Sequence, residues 1–413
     1  MVKKLLSRTV ILVAVGLLSA GGLLAQDREA ALYDIQMDVA YLASDLLEGR
    51  ETGTPGAALA ARYVAERFEA LGLTPGGVDG GWYQPFEFRY NANPHAPAED
   101  GVLRTGRNVV GMLDRGAAHT VVIGAHYDHL GYGGFGSLQP GDSLIHNGAD
   151  DNASGVAALF EIARQLGLSE ARQNNYLFIA FSGEELGLYG SKHFVKTPTV
   201  ALDEVNYMIN LDMVGRLSEE RVLAVNGTGT SPSWEAALEA AATDLDVKKH
   251  ESGLGPSDHA SFYLEDLPVL HLFTGQHVDY HKPGDDSHLI NYDGLYDVAS
   301  FAVRVIEALD GQGALAFTKT KDESQQRAAF KVSLGVMPDY VSGGDGVRID
   351  AVLDGRPAAK AGLQKGDIVI RLGEVEVTDI NAYMLALSKF EKGDVTTVVV
   401  KRGDEVIEKE VKF

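Results

Sequence analysis

Six residues, in the order His126, Asp151, Glu184, Glu185, Asp212 and His281, set two imidazoles among four carboxylates. Imidazole nitrogen and carboxylate oxygen are the donors that hold divalent cations, and a carboxylate with its two oxygens can bridge a pair of them. Hydrolysis at such a centre needs a general base as well as ligands, because the attacking water must lose a proton. These residue types therefore point to a two-metal hydrolytic site. Each has a plainer reading alone. His126 in AHYDHLG has His129 as a local competitor, and adjacent glutamates on a helix surface are common. Asp150 and Asp151 in NGADDNASG precede an apolar helix, where an aspartate caps. Asp128, two residues after His126, is placed to orient that imidazole, and Asp285 in YHKPGDD to orient His281.

The surrounding elements gather these side chains. TVVIGA precedes His126, YLFIAF precedes the glutamate pair, and YMINL precedes Asp212; all three read as buried strands. A further run, LPVLHLF, ends shortly before His281, while Asp151 opens the helix-like SGVAALFEIARQLGL. Helical periodicity also marks ALYDIQMDVAYLASDLL, ALAARYVAERFEALGL, SPSWEAALEAAATDL and LYDVASFAVRVIEAL, and NVVGML reads as one more strand. Strands alternating with helices predict an α/β fold, with a mostly parallel central sheet flanked by helices on both faces. Ligands of such sheets bind beyond the carboxyl ends of the strands, where the six residues fall.

Composition narrows the possibilities. The chain has 413 residues, enough for two or three domains, and no cysteine, so disulfides, thiolate ligands and a cysteine nucleophile are excluded. Its net charge of −22 argues against nucleic acid and anionic membrane surfaces as partners. Lys3, Lys4 and Arg8 precede an apolar stretch from Val10 to Leu18, followed by small residues. Residues 1–25 thus read as a secretory signal peptide, too short in its apolar run for a comfortable membrane span. An exported protein, periplasmic or extracellular, is expected. All 12 histidines lie between His95 and His288, so the metal chemistry belongs to the first domain, 26–312, and not to the region beyond the polar linker 313–327.

Taken in order, LLEGRETGTPG, GAHYDHLG, GADDNASG, FSGEELGLYGS, NLDMVG, PSDHASF and YHKPGDD resemble the di-zinc exopeptidases of metallopeptidase family twenty-eight, over roughly Ala40 to Leu309. The resemblance implies the zinc exopeptidase fold and two Zn²⁺ ions. It implies His126 and Asp212 as terminal ligands of one zinc, Glu185 and His281 of the other, and Asp151 as the bridge, with a cis peptide after it. Glu184 matches the family's general base, and Tyr280 a tyrosine that stabilises the oxyanion. The implied activity is that of an aminopeptidase acting on peptides; a carboxypeptidase or a one-zinc glutaminyl cyclase is the alternative within the fold.

Residues 328–413 form a separate small domain. KVSLGVMPDY and GVRIDAVLDGRPAAKAGLQKGDIVIRLGEVEV resemble a bacterial PDZ domain, with Pro357 opening a short helix, Gly362 ending it, and Gly366–Asp367 turning into a strand. Val332, Ser333, Leu334, Gly335 and Val336 match the loop and strand that capture a peptide C-terminus through backbone hydrogen bonds. A peptide or protein C-terminus is the partner this implies. A non-catalytic PDZ peptide-binding protein is the reading from another functional class, and the full ligand set with its base speaks against it.

Overall fold

The computed structural model describes residues 27–90, 101–134, 136–139, 143–320, 332–338, 346–352, 355–378, 380–403 and 405–413. The expected leader lies outside them. Among the described residues no helix is long and apolar enough to cross a membrane.

Helix α1 (27–42) leads through a short turn, Asp45–Arg50, into α2 (Pro55–Ala70). Thr54 starts α2: its side chain accepts a hydrogen bond from Ala57 N at 3.3 Å, and Pro55 fills the first helical position, where no amide is needed. The small residues Gly56, Ala57, Ala60, Ala61 and Ala65 let α2 lie close to its neighbours, with Val64 and Phe68 supplying the apolar anchor.

The sheet comprises β1 (Thr74–Pro75), β2 (Tyr83–Tyr90), β3 (Val102–Leu113), β4 (His119–His126), β5 (Asn174–Phe181), β6 (Val205–Leu211), β7 (Val222–Asn226), β8 (Asp246–His250) and β9 (Val269–Phe273). Its order is β1-β3-β5-β4-β6-β9-β7-β8, with β2 paired to β3. The centre, β5-β4-β6-β9, is parallel throughout; β3 joins one side and β7 the other in antiparallel pairing. Right-handed crossovers pack helices on both faces of such a centre, which is why its strands are apolar on both sides. Tyr176, Phe178 and Ala180 of β5 enter one core with Phe68, Phe160 and Phe301. Leu177, Ile179 and Phe181 alternate into the opposite core with Phe194 and Phe262. The first core lies under α1, α2, α3 (Gly155–Leu168), α5 (Trp234–Ala241) and α7 (Tyr292–Leu309); the second lies under α4 (Tyr189–Lys196) and α6 (His259–Tyr263).

Three strands depart from the sequence pattern. β2 contains Pro85, which reads as a strand breaker but sits here in a strand paired to β3. β7 is short, and β8, DVKKH, is a charged edge strand that carries no apolar alternation.

A second sheet, β10-β11-β12-β14-β15 with β13 on β12, builds the C-terminal domain. It uses β10 (Val336–Pro338), β11 (Val347–Val352), β12 (Ile368–Leu372), β13 (Val375–Glu376), β14 (Val395–Arg402) and β15 (Glu405–Lys412), with α8 (Pro357–Ala361) and α9 (Ile380–Ser388). Gly362 ends α8 at φ 77°, the left-handed conformation that glycine adopts most easily. The domain has its own core, including Leu334, Val369, Leu387 and Val398.

Residues 313–320, within the segment read as a linker, lie against the first domain. Asn206 Nδ2 donates to Gly313 O, Leu315 N donates to Asn206 Oδ1, and Thr318 N donates to Thr230 O. Phe317 packs on Tyr263 with ring centroids 5.6 Å apart.

Candidate metal centre

The four central parallel strands deliver the six residues to one edge. His126 is the last residue of β4, Asp212 follows β6 directly, and Glu184 and Glu185 stand just past the end of β5. The turn there runs through Gly183 at φ 77°. His281 comes from the loop between β9 and α7, and Asp151 from the segment that opens α3.

Asp151 is the hub. Its Oδ1 lies 3.3 Å from His126 Nε2, and its Oδ2 lies 3.1 Å from His281 Nε2. On the first side, His126 Nε2 is 3.4 Å from Asp212 Oδ1 and 4.0 Å from Glu184 Oε2. On the second, His281 Nε2 is 3.2 Å from Glu185 Oε2. Both ring orientations are set from behind: His126 Nδ1 donates to Asp128 O at 3.2 Å, and His281 Nδ1 to Gly136 O at 2.8 Å. Each imidazole therefore turns Nε2, the nitrogen left for a metal, toward the carboxylates, as a metal-binding histidine does. The Asp151–Asn152 peptide is cis, and Asn152 ties it down by donating to Leu211 O at 2.9 Å and accepting from Met213 N at 3.2 Å.

All six sequence-predicted ligand and base positions are thus brought together, and Tyr280 stacks on His281 with ring centroids 3.8 Å apart. The two predicted orienting acids need correction. Asp128 serves His126 mainly through its backbone carbonyl; its carboxylate is 3.8 Å away, and Oδ1 accepts instead from Glu184 N at 3.3 Å. Asp285 is not the hydrogen-bond partner of His281. Its Oδ2 accepts from Asp150 N and Asp151 N at 2.9 and 3.0 Å, because the loop folds back under the bridging segment.

Two contributors were not singled out by spacing. His129, the local competitor, is buried and donates from Nδ1 to Glu185 Oε1 at 2.7 Å. Its ring packs over Gly148, where an added Cβ would come within 2.5 Å of it. Arg50 is fully buried and, among the described residues, binds carbonyls: Nε reaches Tyr127 O at 2.8 Å, Nη2 reaches Gly148 O at 3.0 Å, and Nη1 reaches Asn147 O and Leu42 O. Burial lowers its pKa to about 10, so it stays cationic behind the carboxylates.

The charges explain what the centre attracts. Burial opposes protonation of His126, yet Glu184, Asp212 and Asp151 hold it well above the usual histidine value. Burial likewise opposes ionisation of Asp151, and its contacts with His126 and His281 hold it well below the carboxylate range. The carboxylates draw positive charge strongly enough to keep protons on their imidazoles. Divalent cations satisfy the same acceptors by displacing those protons. His126, Glu184 and Asp212 form one set whose donor atoms lie within 4.8 Å of one another; His129, Asp151 and Glu185 form a second. With only nitrogen and oxygen donors, of which two are imidazoles, the set suits zinc.

At the PDZ positions, Leu334 is buried in the domain core and its carbonyl accepts from Ala358 N at 2.8 Å. Gly335 N donates to Ser333 Oγ at 3.0 Å, and Val332 packs against the core. Val336 opens β10, which among the described residues is an edge strand of its sheet.

A parallel-centred sheet with this edge defines the fold of zinc exopeptidases. BSAP, a zinc aminopeptidase from Bacillus subtilis, superposes with a TM-score of 0.53 at 18% identity, covering 68% of this chain and 96% of that one. Porphyromonas gingivalis glutaminyl cyclase gives 0.53 at 19% identity, over 68% and 97%. Likeness at that level shows the fold alone. Residues 108–306 match the model of peptidase family M28, and residues 317–413 that of a PDZ domain; the chain carries an M28 peptidase domain followed by a PDZ domain. Aminopeptidase YwaD of Bacillus subtilis is 31% identical over 193 residues, which cover 45% of this chain and 35% of that relative. The chain thus spans about a third of that relative's length.

Proposed function

We propose that the protein is an exported zinc metallopeptidase that removes residues from the amino termini of peptides, with two zinc ions and a glutamate base. The observation that carries this reading is the position of Asp151, one oxygen toward His126 and the other toward His281. That arrangement suits a carboxylate bridging two cations. His126 and Asp212 would hold one, and Glu185 and His281 the other. Bound there, zinc supplies Lewis acidity, lowering the pKa of water and polarising a carbonyl.

The chain's own residues then divide the remaining work. Burial, with Asp212 and Glu185 adding to it, pushes Glu184 well above the usual carboxylate range despite His126. A more basic carboxylate beside the metal ligands suits proton abstraction from water and return of that proton to the leaving amine. Tyr280 is held protonated by burial and by Asp151, Glu185, Asp212 and Glu184, so its hydroxyl remains a donor for the oxygen on which charge develops. The M28 match and the aminopeptidase relatives support peptide-bond hydrolysis at an amino terminus. The signal-peptide pattern supports export.

The test is a panel of aminoacyl chromogenic substrates and end-blocked peptides, assayed with chelator and after zinc is restored. Cleavage that requires a free amino terminus, is lost on chelation and returns with zinc supports the reading. Cleavage from the carboxyl terminus, or cyclisation of an N-terminal glutamine by an enzyme holding one zinc, overturns it. For the PDZ domain, with β10 at its sheet edge, the corresponding proposal is capture of a peptide C-terminus along Val332–Val336. It is checked by titrating the domain with C-terminal peptides and with the same peptides amidated.

A further inference from the structure

The acid next to the bridging aspartate has a different environment. Asp150 is fully buried and turns away from the metal ligands. Its Oδ1 accepts from Gly215 N at 2.7 Å and from Ser154 Oγ at 3.1 Å. Its Oδ2 faces His277 Nε2 at 3.2 Å. Gly215 is required for the first contact, since a Cβ there would meet Asp150 Oδ1 at 2.9 Å and Ser154 Cβ at 2.8 Å. Arg216 Nη2 lies 3.2 Å from His277 Nδ1 and donates to Asp279 Oδ2 at 2.7 Å, while Nη1 donates to Leu289 O at 3.0 Å.

These contacts connect three segments that each carry a proposed ligand. Asp150 precedes the bridge Asp151; Gly215 and Arg216 follow Asp212; His277 heads the turn, closed by Tyr280 N donating to His277 O at 3.1 Å, that ends in Tyr280 and His281. The far end of the same loop is fastened to the same place, because Asp285 accepts from the amides of Asp150 and Asp151. The loop 277–285 is therefore stapled at both ends onto one dipeptide.

Resting on the two-metal reading above, we infer that Asp150 and His277 form a latch that positions His281 and Tyr280 over Asp151 and so sets the affinity of the second metal position. The side-chain contacts of Asp150 and His277 are with Gly215, Ser154, Arg216, Asp279, Asp285 and each other rather than with the proposed ligands; they are positioning residues. Asp150 was ambiguous in the sequence because capping and ligation both favour aspartate there. Its actual partners give it a third role.

The test uses the full-length protein, stripped and titrated with zinc against a competing chromogenic chelator, for wild type, Asp150→Asn, His277→Leu and His277→Gln. Two zinc equivalents are expected in the wild type. Asp150→Asn and His277→Leu are expected to retain one at unchanged affinity and to weaken the other by about tenfold or more, the scale seen for residues that orient ligands. His277→Gln, which keeps a donor toward Asp150, is expected to recover most of the loss. In steady-state assays the loss should fall on kcat more than on KM, because Tyr280 shifts with the loop. Zinc affinities within twofold of wild type in both Asp150→Asn and His277→Leu overturn the latch. Equal weakening of both positions, with His277→Gln no better than His277→Leu, overturns it as well, since that is the pattern of general packing loss. Fewer than two zinc equivalents in the wild type overturns the two-metal reading itself.

Discussion

Glu184 and Glu185 are neighbours in sequence with opposite surroundings. Glu185 is gripped by two imidazoles, His129 Nδ1 at 2.7 Å and His281 Nε2 at 3.2 Å, whereas the nearest imidazole to Glu184 is His126, 4.0 Å away. Their acidities diverge accordingly. Burial raises both, but the histidines bring Glu185 down to about 2, while Glu184 ends well above the ordinary value. Divergent acidity in adjacent carboxyls is what the proposed division into a ligand and a base requires.

The two amide variants should therefore fail differently. Glu184→Gln is expected to keep its zinc content and lose about 10²–10⁴-fold in kcat, the range for removal of a general base. Glu185→Gln is expected to lose zinc as well as rate. Metal analysis of the purified variants beside their rates checks this. A normal rate in Glu184→Gln would exclude it as the base.

Arg50 carries a prediction about stability. Its guanidinium joins the end of α1, the β4 exit and the loop before Asp151 by binding carbonyls of Leu42, Tyr127, Asn147 and Gly148. Arg50→Met takes this donor from the carbonyls of Leu42, Tyr127 and Asn147, while Gly148 O keeps Ala153 N, and each unsatisfied polar group costs about 1–3 kcal/mol. A loss of at least about 3 kcal/mol in urea unfolding is expected. Arg50→Lys should regain only part of it, because an ammonium point charge cannot span the same fork.

Those acceptors lie up to 98 residues from Arg50, which is why no spacing rule reveals it. His277 was hidden for the same reason, since its partners Asp150 and Arg216 arise from two other loops. The candidate metal edge was legible because strand ends are local: an uninterrupted apolar run, buried on both faces and followed closely by a donor, identifies both element and position. Asp285 was misread because proximity in sequence to His281 is not proximity of side chains once the loop doubles back. Pro85 obscured β2 and the charges of DVKKH obscured β8, each a case where pairing with a neighbouring strand overrides local preference.

His271 predicts an acid limit to stability. It is buried on β9 and stacked on His259, with centroids 4.5 Å apart. Burial lowers its pKa from 6.5 to about 4, opposed by Asp212 and aided by His126; burial and His271 together put His259 well below 6.5. A base depressed in the folded state takes up its proton mainly on unfolding. The stabilisation is thus fully present above about pH 6.5 and is lost as pH falls toward 4. For His271 the full span corresponds to roughly 3 kcal/mol. Thermal midpoints measured from pH 7.5 down to about 4.5 should fall, and His271→Gln, which keeps an acceptor for Asn226, should flatten the slope.

The strap 313–320 gives the last prediction. Its composition is that of a linker, yet Thr320 N donates to Tyr263 Oη at 3.0 Å, Tyr263 Oη lies 3.0 Å from Thr320 Oγ1, and Phe317 covers the Tyr263 ring. If these contacts belong to the folding unit of the first domain, Phe317→Ala in the full chain should lower that domain's unfolding free energy by about 1–3 kcal/mol, in proportion to the apolar surface it buries. Tyr263→Phe should cost about 1 kcal/mol, the net worth of a typical hydrogen bond. The PDZ transition, resting on a core that shares no residue with the first domain, should stay where it is. Were the segment only a tether, both variants would sit within about 0.5 kcal/mol of wild type, as surface substitutions do. Denaturation followed by Trp82 and Trp234 fluorescence, both tryptophans lying in the first domain, separates the two outcomes.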